Sequence, residues 1–87
     1  MSSSKIFFHS NIRLLRERKK MSQEEVSRLL DLSRNKLQAL ESGKTVNPVC
    51  TDLIRFSEFY KISIDTLLKT DLKKLGELKL KELISGH

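Results

Sequence analysis

The chain has no tryptophan and few aromatics of any kind, 6% of its 87 residues, so it supports one domain with a modest core and no second one. Its single cysteine, Cys50, excludes an internal disulfide. With only His9 and His87 beside that cysteine there is no metal-binding constellation, and no metal or cofactor is expected. Cys50 reads as a small, buried or half-buried apolar residue. No apolar run approaches the length of a membrane span and there is no signal-peptide core, so a chain that stays where it is made, without a membrane partner, is expected. A phosphate-cradling glycine loop and a nucleophile–base pair are both missing, and a bundle of this size leaves little room for a substrate pocket, which argues against an enzyme. Acid is scarce as well: 11 Asp and Glu face 17 Lys and Arg, giving a net charge of +6 and a pI near 9.7. That balance points to a polyanionic partner, with nucleic acid the leading candidate.

What is present is concentrated in residues 22–43, SQEEVSRLLDLSRNKLQALESG. Ser22 followed by Glu25 is a capping box, so a helix is predicted to start at Gln23. Val26, Leu29 and Leu30 give it one apolar stripe that must be buried. Asp31, Leu32 and Ser33 interrupt the pattern. Ser33 then caps a second helix, Arg34 to Ser42, which Gly43 is suited to end in the left-handed conformation. At about 100° per residue, Leu37 and Leu40 point inward. Asn35, Gln38, Ala39 and Ser42 point away, and Arg34 sits at the N-terminal rim. Arginine, asparagine and glutamine are the side chains that read guanine and adenine edges in the major groove.

Glu41 lies four residues after Leu37, on the core side of this helix, and a carboxylate there needs a partner. Arg16 shows the same anomaly four residues after Ile12. A largely buried Arg16–Glu41 ion pair is therefore predicted, and such a pair fixes geometry more reliably than it adds stability.

The remaining elements follow from periodicity. Residues 1–8 form an N-terminal arm whose serine run is loose and whose Ile6, Phe7 and Phe8 are expected to pack on the domain. A first helix runs from residue 9 or 10 to 20, with Ile12, Leu15 and Arg16 inward and five basic residues crowded into 13–20, where they also complement the helix dipole. After the loop at 44–48, a fourth helix is predicted from near Pro48 or Val49 to Tyr60, with Pro48 well placed as its first residue, Leu53, Phe56 and Tyr60 in register and Ile54 and Phe59 broadening the stripe. Ser63 caps a fifth helix from Ile64 to residue 68 or 69. Residues 9–69 thus read as an all-α, compact five-helix bundle. Residues 70–87 are a Lys- and Leu-rich extension, interrupted only by Gly76 and Gly86. Leu72, Leu75, Leu80 and Leu83 can share one helical face, although residues 78–81 also alternate as a strand would. Left over once the bundle is complete, that stripe is read as a dimer contact, a linker or a basic surface helix, in that order.

These residues resemble the Xre-type family of helix-turn-helix proteins, which includes the lambda and 434 phage repressors and Cro. The resemblance runs from Asn11 to Leu68 through IRLLRERKKMSQEEV, the turn DLSRNKL, the ending LESGK, the Asn47-Pro48 step and ISIDTLL. It implies a DNA-binding domain whose third helix enters the major groove, as a homodimer on a pseudo-palindromic operator in double-stranded DNA, within the cytoplasm of a bacterium or phage host. Carried over by position, Arg34, Asn35, Gln38 and Ala39 are implied to read bases. Gln23, Ser33, Lys36, Ser42, Lys44 and Thr45 are implied to contact phosphates, with Gln23 also bracing the first reading position. Arg16 and Glu41 match a family ion pair. Longer members carry a peptidase-like or dimerising second domain after such a Lys/Leu-rich segment, so both a small regulator and the N-terminal part of a longer one fit. The competing reading is a protein-interaction adaptor or antitoxin-like partner that uses the Phe7/Phe8 segment or the leucine tail; it would more naturally display large apolar residues on helix 34–42.

Overall fold

In the computed structural model residues 6–45 and 48–84 are described; the serine run, residues 46–47 with the Asn47 half of the Asn47-Pro48 step, and residues 85–87 lie outside them. The chain is all-α: α1 (Phe8–Arg18), α2 (Gln23–Leu29), α3 (Arg34–Ser42), α4 (Cys50–Tyr60), α5 (Ile64–Lys69), a 3-10 turn (Leu72–Lys74) and α6 (Glu77–Leu83), with no strand among the described residues. Three helices start at serine caps. Ser22 Oγ accepts from the Glu25 amide while the Glu25 carboxylate accepts from the Ser22 amide, closing the capping box. Ser33 and Ser63 accept from Lys36 and Thr66 in the same way. Gly43 ends α3 at φ 88°, in the region that costs a residue with a Cβ.

Pro48 is not the first residue of α4. Val49 takes the cap position with extended backbone, φ −77° and ψ 156°, and the helix begins at Cys50. Cys50 is exposed rather than buried, because the opening residue of α4 lies outside its apolar stripe.

The core is leucine and isoleucine around a small aromatic cluster: Phe8 meets Phe56 edge-on at 5.5 Å, and Phe56 stacks on Tyr60. Phe8 is fully buried as the first residue of α1, so this end of the arm does pack on the domain. α3 sits between α1 and α2, and α5 packs against α1 and α4.

The apolar stripe of the extension is not left over. Leu72 and Leu80 are core residues at 1% and 5% exposure, with Leu75, Leu83 and Ile84 packed beside them. The device that brings them in is Asn11, 1% exposed on α1. Its amide nitrogen donates to the carbonyls of Leu67 (2.8 Å) and Thr70 (2.7 Å), and its oxygen accepts from the Leu72 amide at 3.2 Å. Three backbone groups in the α5-to-3-10 connection, which has no ladder to satisfy them, thereby find partners. Beyond the turn, the Arg18 guanidinium binds the Glu77 carboxylate and holds its pKa below the ordinary value, so that α6 is tied to the end of α1.

Asn11→Ala strands all three of those backbone groups and is expected to cost about 3 kcal/mol in urea unfolding. A loss below about 1 kcal/mol would show that the connection holds without it.

Candidate functional site

Between α2 and α3 the chain turns through Leu30, Asp31 and Leu32. Asp31 takes φ 58°, a conformation that short polar side chains tolerate better than branched ones. The Leu32 amide returns to the Ser27 carbonyl at 2.8 Å. Arg55 of α4 donates from Nη1 to the carbonyls of Leu30 (3.2 Å) and Asp31 (3.4 Å), groups that have no partner in α2 itself. A cation at a helix C-terminus also complements its dipole. Periodicity places Arg55 on an outward face and carries no sign of this role.

The inner side of α3 is held by charge as well as by Leu37 and Leu40. Arg16 Nε lies 2.8 Å from Glu41 Oε2 and Nη2 lies 3.0 Å from Oε1, a two-pronged pair with side chains 12% and 4% exposed. Nη1 of the same guanidinium donates to the Met21 carbonyl at 2.8 Å, which ties the α1–α2 connection to the pair. The hydrogen bond to Glu41 raises the Arg16 pKa above its ordinary value, against the opposing effect of burial. Beneath the pair, the Tyr60 hydroxyl is buried with no hydrogen-bond partner among the described residues; burial first, and the Glu41 charge second, push its pKa up. The phenol therefore stays neutral. At the C-terminal end of α3, Nδ1 of His9 lies 2.7 Å from the Leu40 carbonyl, which can only accept, so that nitrogen carries the proton. His9 closes one of the orphan carbonyls of α3, a role without a signal in the sequence.

Gln23 is placed differently from the expectation. Its partner is not at the start of α3: Nε2 donates to Glu41 Oε1 at 3.0 Å, because a carboxylate already gripped by Arg16 still has lone pairs to offer. Lys36 is also committed. Its ammonium lies 3.0 Å from Asp52 Oδ2 on α4, a carboxylate only 4% exposed that needs this cation. Its predicted contact to phosphate therefore competes with an internal ion pair. Ser33 is exposed but serves as the cap, Ser42 donates to the Ala39 carbonyl at 3.3 Å, and the Thr45 amide reaches the same carbonyl at 3.3 Å.

Outside these contacts lies a groove of about 550 Å³. Asn35, Gln38, Ala39 and Ser42 of α3 form one wall, with Arg13 and Arg16 of α1, Gln23 and Lys44 around them. Arg34, Asn35 and Gln38 are exposed, and Ala39 is half-buried. Arg34 and Lys44 differ from Arg16 and Lys36 in one decisive respect: among the described residues they have no carboxylate within ion-pair distance. The site thus offers amide donors and acceptors along one helix, a methyl, and two uncompensated cations at opposite ends. Among the described residues no group of His, Cys, Asp and Glu is arranged to hold a metal.

A family model described as a helix-turn-helix domain matches residues 10–73, covering α2 to α5 in full and most of α1. No curated protein and no solved structure matches the chain.

Removing one member of the buried pair leaves the other charge unpaired. Glu41→Ala is expected to cost about 3–5 kcal/mol in chemical denaturation, whereas the double substitution Arg16→Met with Glu41→Leu should recover most of that loss. A double variant as unstable as the single one would mean that the hydrogen bonds to Met21 and Gln23, and not the ion pair, hold α3 in place.

Proposed function

The chain belongs to the helix-turn-helix domain family, and on that premise we propose that it is a sequence-specific DNA-binding transcription regulator, of the Xre type, with α3 in the major groove. The observation that carries this reading is the outward face of α3, where Asn35 and Gln38 are exposed between the uncompensated cations Arg34 and Lys44 at the two ends of the helix, and no large apolar residue intervenes. Side-chain amides and guanidinium groups match base edges, and free cations match phosphates. Ser33, Ser42 and Thr45 add polar groups next to helix ends, where backbone also meets phosphate.

The regulator acts as a dimer on a pseudo-palindromic operator and represses by occupying the site against polymerase. It works in the cytoplasm, where its DNA is; no helix among the described residues is long and apolar enough to cross a membrane. A second reading, a protein-interaction adaptor, is favoured by Leu29, Ile54 and Leu78, which are exposed at 60%, 45% and 79% and lie on α2, α4 and α6 instead of α3.

Selection of bound duplexes from a random pool separates the two. An inverted repeat with half-site centres about 10 base pairs apart, preferred by at least about 10³ over a scrambled control, is expected for the regulator. Binding without a consensus would favour the adaptor. Against the selected duplex, Arg34→Ala should lose about 1–3 kcal/mol at a single base position. Lys44→Ala should weaken all duplexes alike and lower the salt slope by about one. Equal losses by Arg34→Ala on selected and scrambled duplex would remove its base-reading role.

A further inference from the structure

A second depression, about 460 Å³, adjoins the groove and shares Arg13, Glu41 and Ser42 with it. Lys73, from the 3-10 turn of the C-terminal extension, and Gly43, at the end of α3, both line it. Two carboxylates also face this depression, and both are engaged: Glu41 by Arg16, and Glu17 by Arg13 at 3.2 Å. Lys73 is exposed and has no carboxylate partner among the described residues, as with Lys44 and Arg34. Its backbone is nonetheless fixed, since the Leu72 amide on one side is held by Asn11 and the Lys74 amide on the other by the Asp71 carbonyl at 3.1 Å. A free cation on an anchored backbone therefore lines the same depression as Ser42 and Gly43 at the C-terminal end of α3 and as Arg13, which also lines the groove.

We propose that Lys73 contacts a DNA phosphate, so that the C-terminal extension is part of the DNA-binding surface and continues it beyond α3. This inference rests on the DNA-binding reading above. The turn of residues 72–74 serves as a short arm clamped to α1: buried Leu72 and Asn11 anchor it, and Lys73 reaches the backbone flanking the major groove that α3 occupies. Phosphate contacts carry no sequence information, so Lys73 adds affinity and register while leaving the choice of bases to α3.

The test is titration of the full chain with a random-sequence DNA duplex over a series of salt concentrations. Lys73→Gln, which keeps most of the aliphatic stem, is expected to lower the slope of log affinity against log salt by about 0.9, equivalent to roughly 8-fold weaker binding at about 0.1 M salt. Lys73→Arg should bind as the unmodified chain does. Lys74→Gln is the matched control: it removes the same charge one residue along a turn with about three residues per revolution, and so on another side. It does not line the depression and should leave the slope unchanged. A slope unaltered by Lys73→Gln, or lowered equally by Lys74→Gln, would overturn the proposal. Loss of the slope in neither variant because the unmodified chain binds no duplex would instead overturn the DNA-binding reading itself.

Discussion

Two opposite charges, Arg16 on α1 and Glu41 on α3, meet inside the molecule, and the presentation of α3 depends on their meeting. Neither could be buried alone, because an isolated charge in an apolar interior is far more costly than any single contact can offset. Together they align three segments at once. The guanidinium reaches the Met21 carbonyl before α2, and the carboxylate accepts from Gln23 at the start of α2. α1, α2 and α3 are thus set relative to one another through one hydrogen-bonded node. Its contribution is mainly orientation, since desolvation offsets much of the attraction.

The same logic governs the outer face. Cations near α3 divide into those spent on the fold and those left over. Arg16 and Lys36 neutralise the buried carboxylates Glu41 and Asp52, and Arg55 closes the end of α2. Arg34 and Lys44 remain uncompensated at the two ends of α3. A net charge of +6 says only that basic residues are in excess; the internal pairings decide where that excess is displayed. The turn before α3 is supported from beneath by α4, so a residue remote from the exposed face helps to hold it in position.

Much of this was legible in the residues themselves. The serine caps, the capping box and the glycine stop define α2 and α3 within a few residues of chain, and the structure keeps those limits. The buried ion pair was legible too, since each partner stood as a charge on an otherwise apolar stripe. The extension was not. A leucine pattern of several apparent periods does not reveal which leucines find a core, and Asn11, a polar residue beside Ile12, gives no sign that it will hold the segment following α5. The start of α4 and the exposure of Cys50 differ from expectation for local reasons: Val49, not Pro48, leads into the helix as its cap, and Cys50 lies outside the apolar stripe.

By itself the sequence determined the features that depend on near neighbours: helix caps, apolar stripes, the helix-turn-helix spacing and the composition of the outward face of α3. These rest on contacts of three or four residues, where chain geometry leaves little choice. Only the tertiary structure decided the partners of Gln23 and Lys36, the closure of α3 by His9 from 31 residues away, and the capture of Leu72 by Asn11 across 61 residues. No periodicity encodes such pairings, because each becomes available only when packing elsewhere has brought two distant segments within hydrogen-bonding distance.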